Sequence, residues 1–589
     1  MGVEYKVAGL ELAVAVDGAS LEQFGPETNR GDGPAALQDM ATVPFAWLES
    51  ALPRLSVVEQ EMMLRHKVIP YVWLPHYAIY GVATEDGLRW AESRRLNVVG
   101  RIKLDDYRSL VRRTFGRRIL FTAVTMLERT LPWASARRRL TWPQMMVAVS
   151  LAVVALASIF ARDLQLFWIV FNIIATTLFC LVVGLRCLCL MPLPKHVGLV
   201  APLLPETELP TYTVLVPLFR ETAVLPQLLH ALSCLDYPPD KLDIKIILEE
   251  NDKAMQAAVA GFNLPDYFDV LVVPEGKPQT KPRALNYAMQ FARGDLLTIY
   301  DSEDIPQPNQ LKLAAAQLAA SDENVACLQA ALEFYNPNEN WLTRQFTAEY
   351  AALFHTILPT LAAYKLPLPL GGTSNHFRVS VLRSVGGWDP YNVTEDADLG
   401  IRLARYGYQT RVLHSSTYEE ANPEIWNWLK QRRRWLKGFL QCWLVHNRNP
   451  LLLLGELKFK GFIVVQCMTL GIFLSSLLHP ILLGFTIWNL QPAIWVEKIQ
   501  DPIGGATIYL SIVILLLGYA SGILLSARGL RTIGIRKWGL VLLSIPAYWF
   551  LMSAAAWLAL WDFCVAPYHW HKTRHGLSRT FKTAGRRVT

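Results

Sequence analysis

Apolar positions along this chain fall into two textures. Toward both ends they form unbroken runs long enough to cross about 30 Å of hydrocarbon, whereas in the middle they come as short β-rich runs alternating with helical stretches. Residues 143–160 and 166–185 are two such long runs, separated by Ala161-Arg162-Asp163-Leu164-Gln165, and they predict a helical hairpin within residues 140–192. Residues 461–490, interrupted by His479-Pro480, and residues 507–526 predict further spans. Residues 539–563 are apolar again, but Pro546 and several Trp and Tyr break the run, which completes a membrane region at 461–566. The first apolar run begins far from Met1, so no cleavable signal is expected.

Composition agrees with this division. The 589 residues are 52% hydrophobic and 18% charged, against about a quarter charged in soluble domains. Lys and Arg near span ends set orientation. Arg137-Arg138-Arg139 precedes the first hairpin, and Arg186 and Lys195 follow it; Arg528, Arg531, Arg536 and Lys537 follow the 507–526 span. A basic tail at 567–589 carries Lys572, Arg574, Arg579, Lys582, Arg586 and Arg587. All these flanks are expected to be cytosolic. Residues 539–563 then start and end on one side, as a re-entrant or two-helix hairpin or as a helix lying in the interface, with the hairpin favoured. The net charge of +8 sits at membrane edges, where anionic lipid attracts it, so it does not call for nucleic acid. The eight Cys show no metal-ligand spacing and read as packing residues.

The middle texture, residues 205–420, predicts an α/β domain with a parallel sheet. Strands are expected at 212–216, 244–248, 270–273 and 296–300, and helices at 224–235 and 284–292. Ligands of open α/β sheets lie beyond the carboxyl ends of strands, and that is where the acids fall. The first strand runs through Pro217 to Phe219-Arg220-Glu221, the second ends in Glu249-Glu250-Asn251-Asp252, and the fourth in Asp301-Ser302-Glu303-Asp304. Any one of these acids alone suits a helix cap or a solvated turn. Like charges delivered together repel, so the set points to a divalent cation with oxygen ligands and a hydroxyl-rich partner.

Two further clusters add chemistry. Thr394-Glu395-Asp396 opens a helix expected to end near Gly407, with Thr394 as its cap. Capping accounts for the acids, and Asp396 also suits a general base beside a small-residue acceptor pocket formed by Gly371-Gly372-Thr373-Ser374-Asn375. Gln431-Arg432-Arg433-Arg434-Trp435 lies in a segment, 421–450, that reads as an amphipathic interface helix opened by Asn422 and Pro423. Helical spacing turns Gln431, Arg434 and Trp435 to one face, an arrangement that suits a diphosphate and the apolar face of a sugar.

Together these residues resemble the catalytic domain of family 2 glycosyltransferases of the cellulose and hyaluronan synthase type, over residues 210–447 and the flanking helices. The resemblance implies a GT-A (Rossmann-like) domain inserted between transmembrane helices of a bacterial inner membrane, with the catalytic domain cytosolic. It implies an inverting enzyme that polymerises a β-linked glycan from a UDP-sugar of glucose or N-acetylhexosamine type onto a growing acceptor. Asp396 takes the place of the catalytic base, and Asp301 with Glu303 that of the Asp-x-Asp motif for Mg²⁺ or Mn²⁺. Pro217, Glu221, Glu249, Glu250, Lys281, Asp301, Gln431 and Arg434 stand at nucleotide or diphosphate positions; Lys281-Pro282-Arg283-Ala284-Leu285-Asn286 resembles the family's Gly-Lys-x-x-Ala-Leu-Asn segment. Thr373, Ser374, Glu395 and Trp435 stand beside the acceptor. The sequence departs from the family pattern by Glu for Asp at Glu249, Glu250 and Glu303, and residues 527–538 lack the Phe-x-Val-Thr-x-Lys gating loop. Transfer of one sugar to a membrane lipid, and a non-catalytic scaffold of a secretion complex, remain alternatives.

Residues 47–118 read as a separate small α/β module behind a segment, 1–46, with a flexible linker at 18–33. Leu64 to Pro70 and Tyr77 to Ala83 resemble the amino-terminal domain of type II secretion ATPases. That resemblance implies a docking module for regulatory or export proteins. Related domains bind cyclic di-GMP, but their Arg-Leu-Gly repeat is missing here.

Overall fold

The computed structural model describes residues 4–7, 10–13, 66–74, 77–160, 164–192, 201–491, 502–568 and 572–579. The linker expected at 18–33, Lys195, and the tail residues Lys582, Arg586 and Arg587 lie outside them. The chain divides into two compact units, Met1–Phe121 and Thr122–Thr589.

In the first unit, β1 (Glu4–Val7) pairs antiparallel with β2 (Leu10–Ala13). A second sheet joins β3 (Val68–Leu74) antiparallel to β4 (Tyr77–Val82), which runs parallel to β5 (Asn97–Arg101). Parallel neighbours need a crossover, supplied here by the helix Glu85–Ser93, whose N-cap Thr84 accepts from the Gly87 amide at 3.2 Å. Val68, Val82, Leu88 and Ala91 form its core.

The second unit opens with apolar helices α1 (Trp142–Phe160) and α2 (Leu164–Leu190). An eight-stranded mixed sheet follows, in the order β10-β13-β11-β12-β9-β6-β7-β8. Its strands are β6 (Tyr212–Leu218), β7 (Leu242–Glu249), β8 (Phe268–Val273), β9 (Leu296–Ile299), β10 (Ile305–Pro306), β11 (Val325–Phe334), β12 (Asn375–Arg378) and β13 (Gln409–Glu419). The expected parallel half is β9-β6-β7-β8. The other half is mixed, because β12 runs antiparallel to both β9 and β11. Every residue of β7 is buried, so its alternate Lys245 needs charge partners, which are Asp243 at 2.8 Å and Asp269 at 2.9 Å.

Four helices of this domain position side chains at the carboxyl edge of the sheet: α3 (Lys281–Met289), α4 (Trp341–Ala352), α5 (Glu395–Arg405) and α6 (Ile425–His446). Two caps differ from expectation. Thr394 precedes α5 without a capping bond from its side chain; its hydroxyl lies instead 3.4 Å from the Asn392 Oδ1 and from the Cys442 Sγ. Helix α6 begins after Glu424, and Asn422 accepts from the Glu424 amide in the turn before it.

The chain continues through α7 (Pro450–Gln466), a π-turn at Cys467–Gly471 and α8 (Ile472–Asn489), then α9 (Pro502–Thr532) and α10 (Ile545–Val565). Four stretches among the described residues are long and apolar enough to cross a membrane: Ile173–Leu190, Pro450–Trp488, Tyr509–Thr532 and Ile545–Val565. The hairpin expected at 539–563 does not form. Pro546 falls in the first turn of α10, where its missing N–H costs nothing, so a short helix Gly539–Leu543 leads into one unbroken helix. Gln345 of the α/β domain bonds to Val541 and Ser544 near the start of α10, and Arg433 of α6 pairs with Asp562 near its end. Both ends are thus tied to the same domain. The eight cysteines are all unpaired; Cys180, Cys187, Cys234 and Cys564 are exposed, so packing accounts only for the other four.

Candidate functional site

A cavity of about 880 Å³ opens at the carboxyl edge of the sheet and continues between α2, α8, α9 and α10. The ends of four strands feed it. Glu221 follows β6, Glu249 ends β7, Asp301 and Glu303 follow β9, and Glu419 ends β13. Helix α3 places Lys281 at its first residue, α5 places Glu395 and Asp396 in its first turn, and α6 contributes Gln431, Arg434 and Trp435. Pro217 and Thr373 also line it.

Two of the expected residues do not. Side chains alternate along a strand, so Glu249 turns in and Glu250 turns out to solvent, where it accepts from the Glu275 amide at 2.8 Å. Ser374 has a left-handed φ of 55°, and its hydroxyl turns away to Thr417 at 2.7 Å.

Lys281 is the pivot of the acidic edge. Its Nζ lies 2.5 Å from Asp301 and donates to the Gly372 carbonyl at 2.7 Å. A Cβ added at Gly372 would lie 3.4 Å from Asp396 Oδ2, 3.9 Å from Lys281 Nζ and 4.0 Å from Asp301 Oδ2. Both carboxylates and the ammonium therefore surround one point, and only glycine leaves it open. Burial works against the Lys281 charge, yet Asp301 and Glu395 outweigh it and hold its pKa above the ordinary value. Burial, then Asp396, pushes Glu395 up to about 7, and burial raises Asp396 above the usual carboxylate range. Both shifts follow from desolvation of charge beside like charge.

Sequence reasoning missed three contributors. The first is the tail, expected as a basic flank. Among its described residues, His575 pairs with Glu303 at 2.9 Å and Lys572 with Glu221 at 3.3 Å. Backbone bonds fix this strap: Asn427 and Arg574 exchange bonds of 2.9 and 3.1 Å, and the Gly576 and Ser578 amides donate to Glu420. Burial opposes both charges of the His575–Glu303 pair, but their attraction wins, holding Glu303 near 2 and raising His575 to about 9. A run of Lys, Arg and His after an apolar helix carries no local signal separating a lipid flank from an active-site strap.

The second is Arg432. It is buried, pairs with Glu349 at 2.6 Å, and lies 4.4 Å over Phe346 and 4.5 Å over Trp435. Tyr350 stacks against Trp435 with centroids 6.2 Å apart, so the indole is held in place before any ligand arrives. The third is Glu419, which burial and then Asp304 push far above the carboxylate range. On α6 itself, the Gln431 Oε1 is buried without a partner, which leaves an acceptor facing the cavity.

Among the described residues no three His, Cys, Asp or Glu side chains gather as a metal cage. Asp301 and Glu303 instead fit the other mode of hard-cation binding, one or two carboxylates completed by substrate phosphates. Their present partners, Lys281 and His575, are already cationic.

Comparison with known proteins bears on the family of this domain. Residues 296–567 match the family model described as glycosyl transferase family group 2. The chain is 28% identical over 237 residues to the probable glycosyltransferase YdaM of Bacillus subtilis, covering 39% of this chain and 56% of that protein. It is 28% identical over 251 residues to the cellulose synthase 1 catalytic subunit [UDP-forming] of Komagataeibacter xylinus, 42% of this chain and 32% of that protein. It is 26% identical over 267 residues to the beta-monoglucosyldiacylglycerol synthase of a Synechocystis species, 44% of this chain and 54% of that protein. The chain thus spans between a third and just over half of these relatives. Residues 296–567 thus form a glycosyltransferase family 2 domain, similar to cellulose synthase catalytic subunits, within a mixed α/β fold. The likeness of the amino-terminal module to secretion ATPases has no support in these matches.

Proposed function

We propose that this chain is a membrane-embedded inverting glycosyltransferase of a bacterial inner membrane, extending a β-linked glycan from a UDP-sugar on the cytosolic side. The observation that carries this reading is the convergence of Asp301, Asp396, Arg434 and Trp435, from distant segments, on one cavity that runs on between apolar helices.

The acceptor hydroxyl approaches from the Trp435 side, where the indole supports the apolar face of a sugar ring. Asp396 accepts the hydroxyl proton as the oxygen attacks the anomeric carbon, and the bond to the nucleoside diphosphate breaks on the opposite face. Its burial keeps it a stronger base than a solvated aspartate. Arg434 and Gln431 face the leaving diphosphate from α6, a guanidinium suiting two phosphate oxygens at once. Asp301 and Glu303 would hold Mg²⁺ or Mn²⁺, which when bound supplies positive charge to the leaving group. A second reading, transfer of a single sugar to a membrane lipid, is favoured by the apolar walls of the inner cavity. The separate fold of the amino-terminal unit supports a docking role for it.

Purified full-length protein incubated with a panel of nucleotide sugars should release nucleoside diphosphate, and Asp396→Asn should lower kcat by about 10²- to 10⁴-fold with donor affinity kept. Product length separates extension from single transfer. Release from no donor, or an Asp396→Asn variant at the wild-type rate, would refute the assignment.

A further inference from the structure

Arg186 belongs to α2, inside the apolar span Ile173–Leu190. Charge patterning assigns it to the cytosolic flank, but helical side chains lean toward the helix amino terminus, and its guanidinium turns back along the span. It donates to the Gly518 carbonyl at 3.3 Å and lies 5.2 Å from the centre of the Trp549 ring, beside Gly522. The end of α2 is marked by Arg528, which bonds to the Cys189, Leu190 and Met191 carbonyls. Gly518 is ten residues earlier on the same helix as Arg528, about 15 Å along the axis. No carboxylate among the described residues pairs with Arg186, although it lines the cavity.

The same wall holds two groups with an unpartnered polar atom. His479 is 6% exposed; its Nε2 meets the Tyr519 hydroxyl at 2.8 Å, and its Nδ1 has no partner. The Ser475 hydroxyl also has none. Other hydroxyls there are consumed by their own helix: Ser476 donates to Ile472 at 2.9 Å and Thr486 to Leu482 at 2.8 Å. Around them the lining is hydrocarbon, from Val182, Val183, Leu482, Phe485, Ile514 and Leu515. A neutral glycan would leave hydroxyls unpaired against such walls, and a plain hydrocarbon would leave the guanidinium without a counter-ion. An intramembrane cation of this kind marks a binding path.

We propose that the inner half of the cavity binds an anionic phospholipid-like amphiphile, its phosphate on Arg186 beside His479 and Ser475 and its hydrocarbon along the apolar wall. Resting on the transferase reading above, this makes the acceptor a molecule anchored in the bilayer rather than a free sugar.

The test uses the full chain reconstituted in phosphatidylcholine vesicles with or without phosphatidylglycerol, then extracted and weighed by native mass spectrometry. Wild type should retain phosphatidylglycerol over phosphatidylcholine by about tenfold, equivalent to about 1.4 kcal/mol. Arg186→Gln should lose this preference, and Arg186→Lys should keep most of it, which guards against a folding artefact. No preference in wild type, or an unchanged preference in Arg186→Gln, overturns the proposal. Displacement of the lipid by inorganic phosphate would assign the site to a soluble anion and overturn it too. Nucleoside diphosphate release is measured in parallel, so failure of the transferase reading shows as absent release whatever lipid is retained.

Discussion

Gly438 is where the packing of α6 meets the segment that carries the proposed base. It lies on α6 one turn beyond Arg434 and Trp435, against Thr394, the residue that precedes Glu395 and Asp396. A Cβ added there would fall 2.3 Å from the Thr394 Oγ1 and Cγ2 and 2.7 Å from its Cβ. Rotating Thr394 moves only the outer atoms, and its Cβ is itself too close. Carbon atoms rest about 3.5–4.0 Å apart, so α5 and α6 must part by about 1 Å. On an exposed helix Gly→Ala gains roughly 1 kcal/mol; here overpacking costs about 1–3 kcal/mol, so Gly438→Ala should leave stability unchanged or slightly lower. The kinetic effect is larger on the proposed mechanism, because the separation falls between the proposed base on α5 and the α6 groups proposed to face the diphosphate. A 1 Å misplacement costs about 10²-fold in rate, roughly 2.7 kcal/mol of barrier. Diphosphate release and thermal unfolding measured on the same preparation should therefore dissociate, with kcat down about 10²-fold and little change in Tm. Gly455→Ala, where nothing lies within 4 Å, is the matched control. A folded Gly438→Ala enzyme at the wild-type rate would refute the coupling.

Other outcomes follow from the site. Because burial holds Asp396 above the usual carboxylate range, kcat should fall on the acid side at a pH above the ordinary aspartate value of about 3.9 as the base takes up its proton; an acid limb at or below that value would exclude Asp396 as that base. Chelation should abolish turnover, and Mg²⁺ or Mn²⁺ should restore it, with little change in Tm because Lys281 and His575 already neutralise Asp301 and Glu303; a large stabilisation by metal alone would count against this. In metal-free buffer the His575–Glu303 pair sets how tightly the strap docks. His575, raised from 6.5 to about 9, contributes fully below pH 6.5 and is lost as pH climbs through 9, while Glu303, lowered from 4.5 to about 2, contributes above 4.5 and is lost toward 2. Tryptic cleavage at Lys572 and Arg574 should accordingly be slowest near pH 5–6 after correction for the protease's own pH profile, and unchanged protection at pH 10 would contradict the pairing. Arg432→Gln should lower kcat/KM while sparing donor affinity, since it releases Trp435 and not the diphosphate groups; equal loss of donor binding, read by nucleotide titration, would place Arg432 elsewhere.

What the sequence determined on its own is what local chemistry can encode. Alternating β-rich and helical runs fixed β6, β7, β8 and β9 to within a few residues, and acids at their carboxyl ends marked the edge where the cavity lies. Helical spacing alone put Gln431, Arg434 and Trp435 on one face. The rest depended on contacts between distant segments. Strand direction in β11, β12 and β13 is set by pairing, and no residue of β12 announces that it runs antiparallel. One strand position separates Glu249 from Glu250, and one left-handed residue removes Ser374. A cation has the same letter at a membrane edge, in a strap over an acidic site or inside an apolar wall. Lys572 and Arg186 were legible as charges, whereas His575 becomes one only beside Glu303; the folded chain decided what each faces, because electrostatic energy depends on separation and burial in space rather than along the chain.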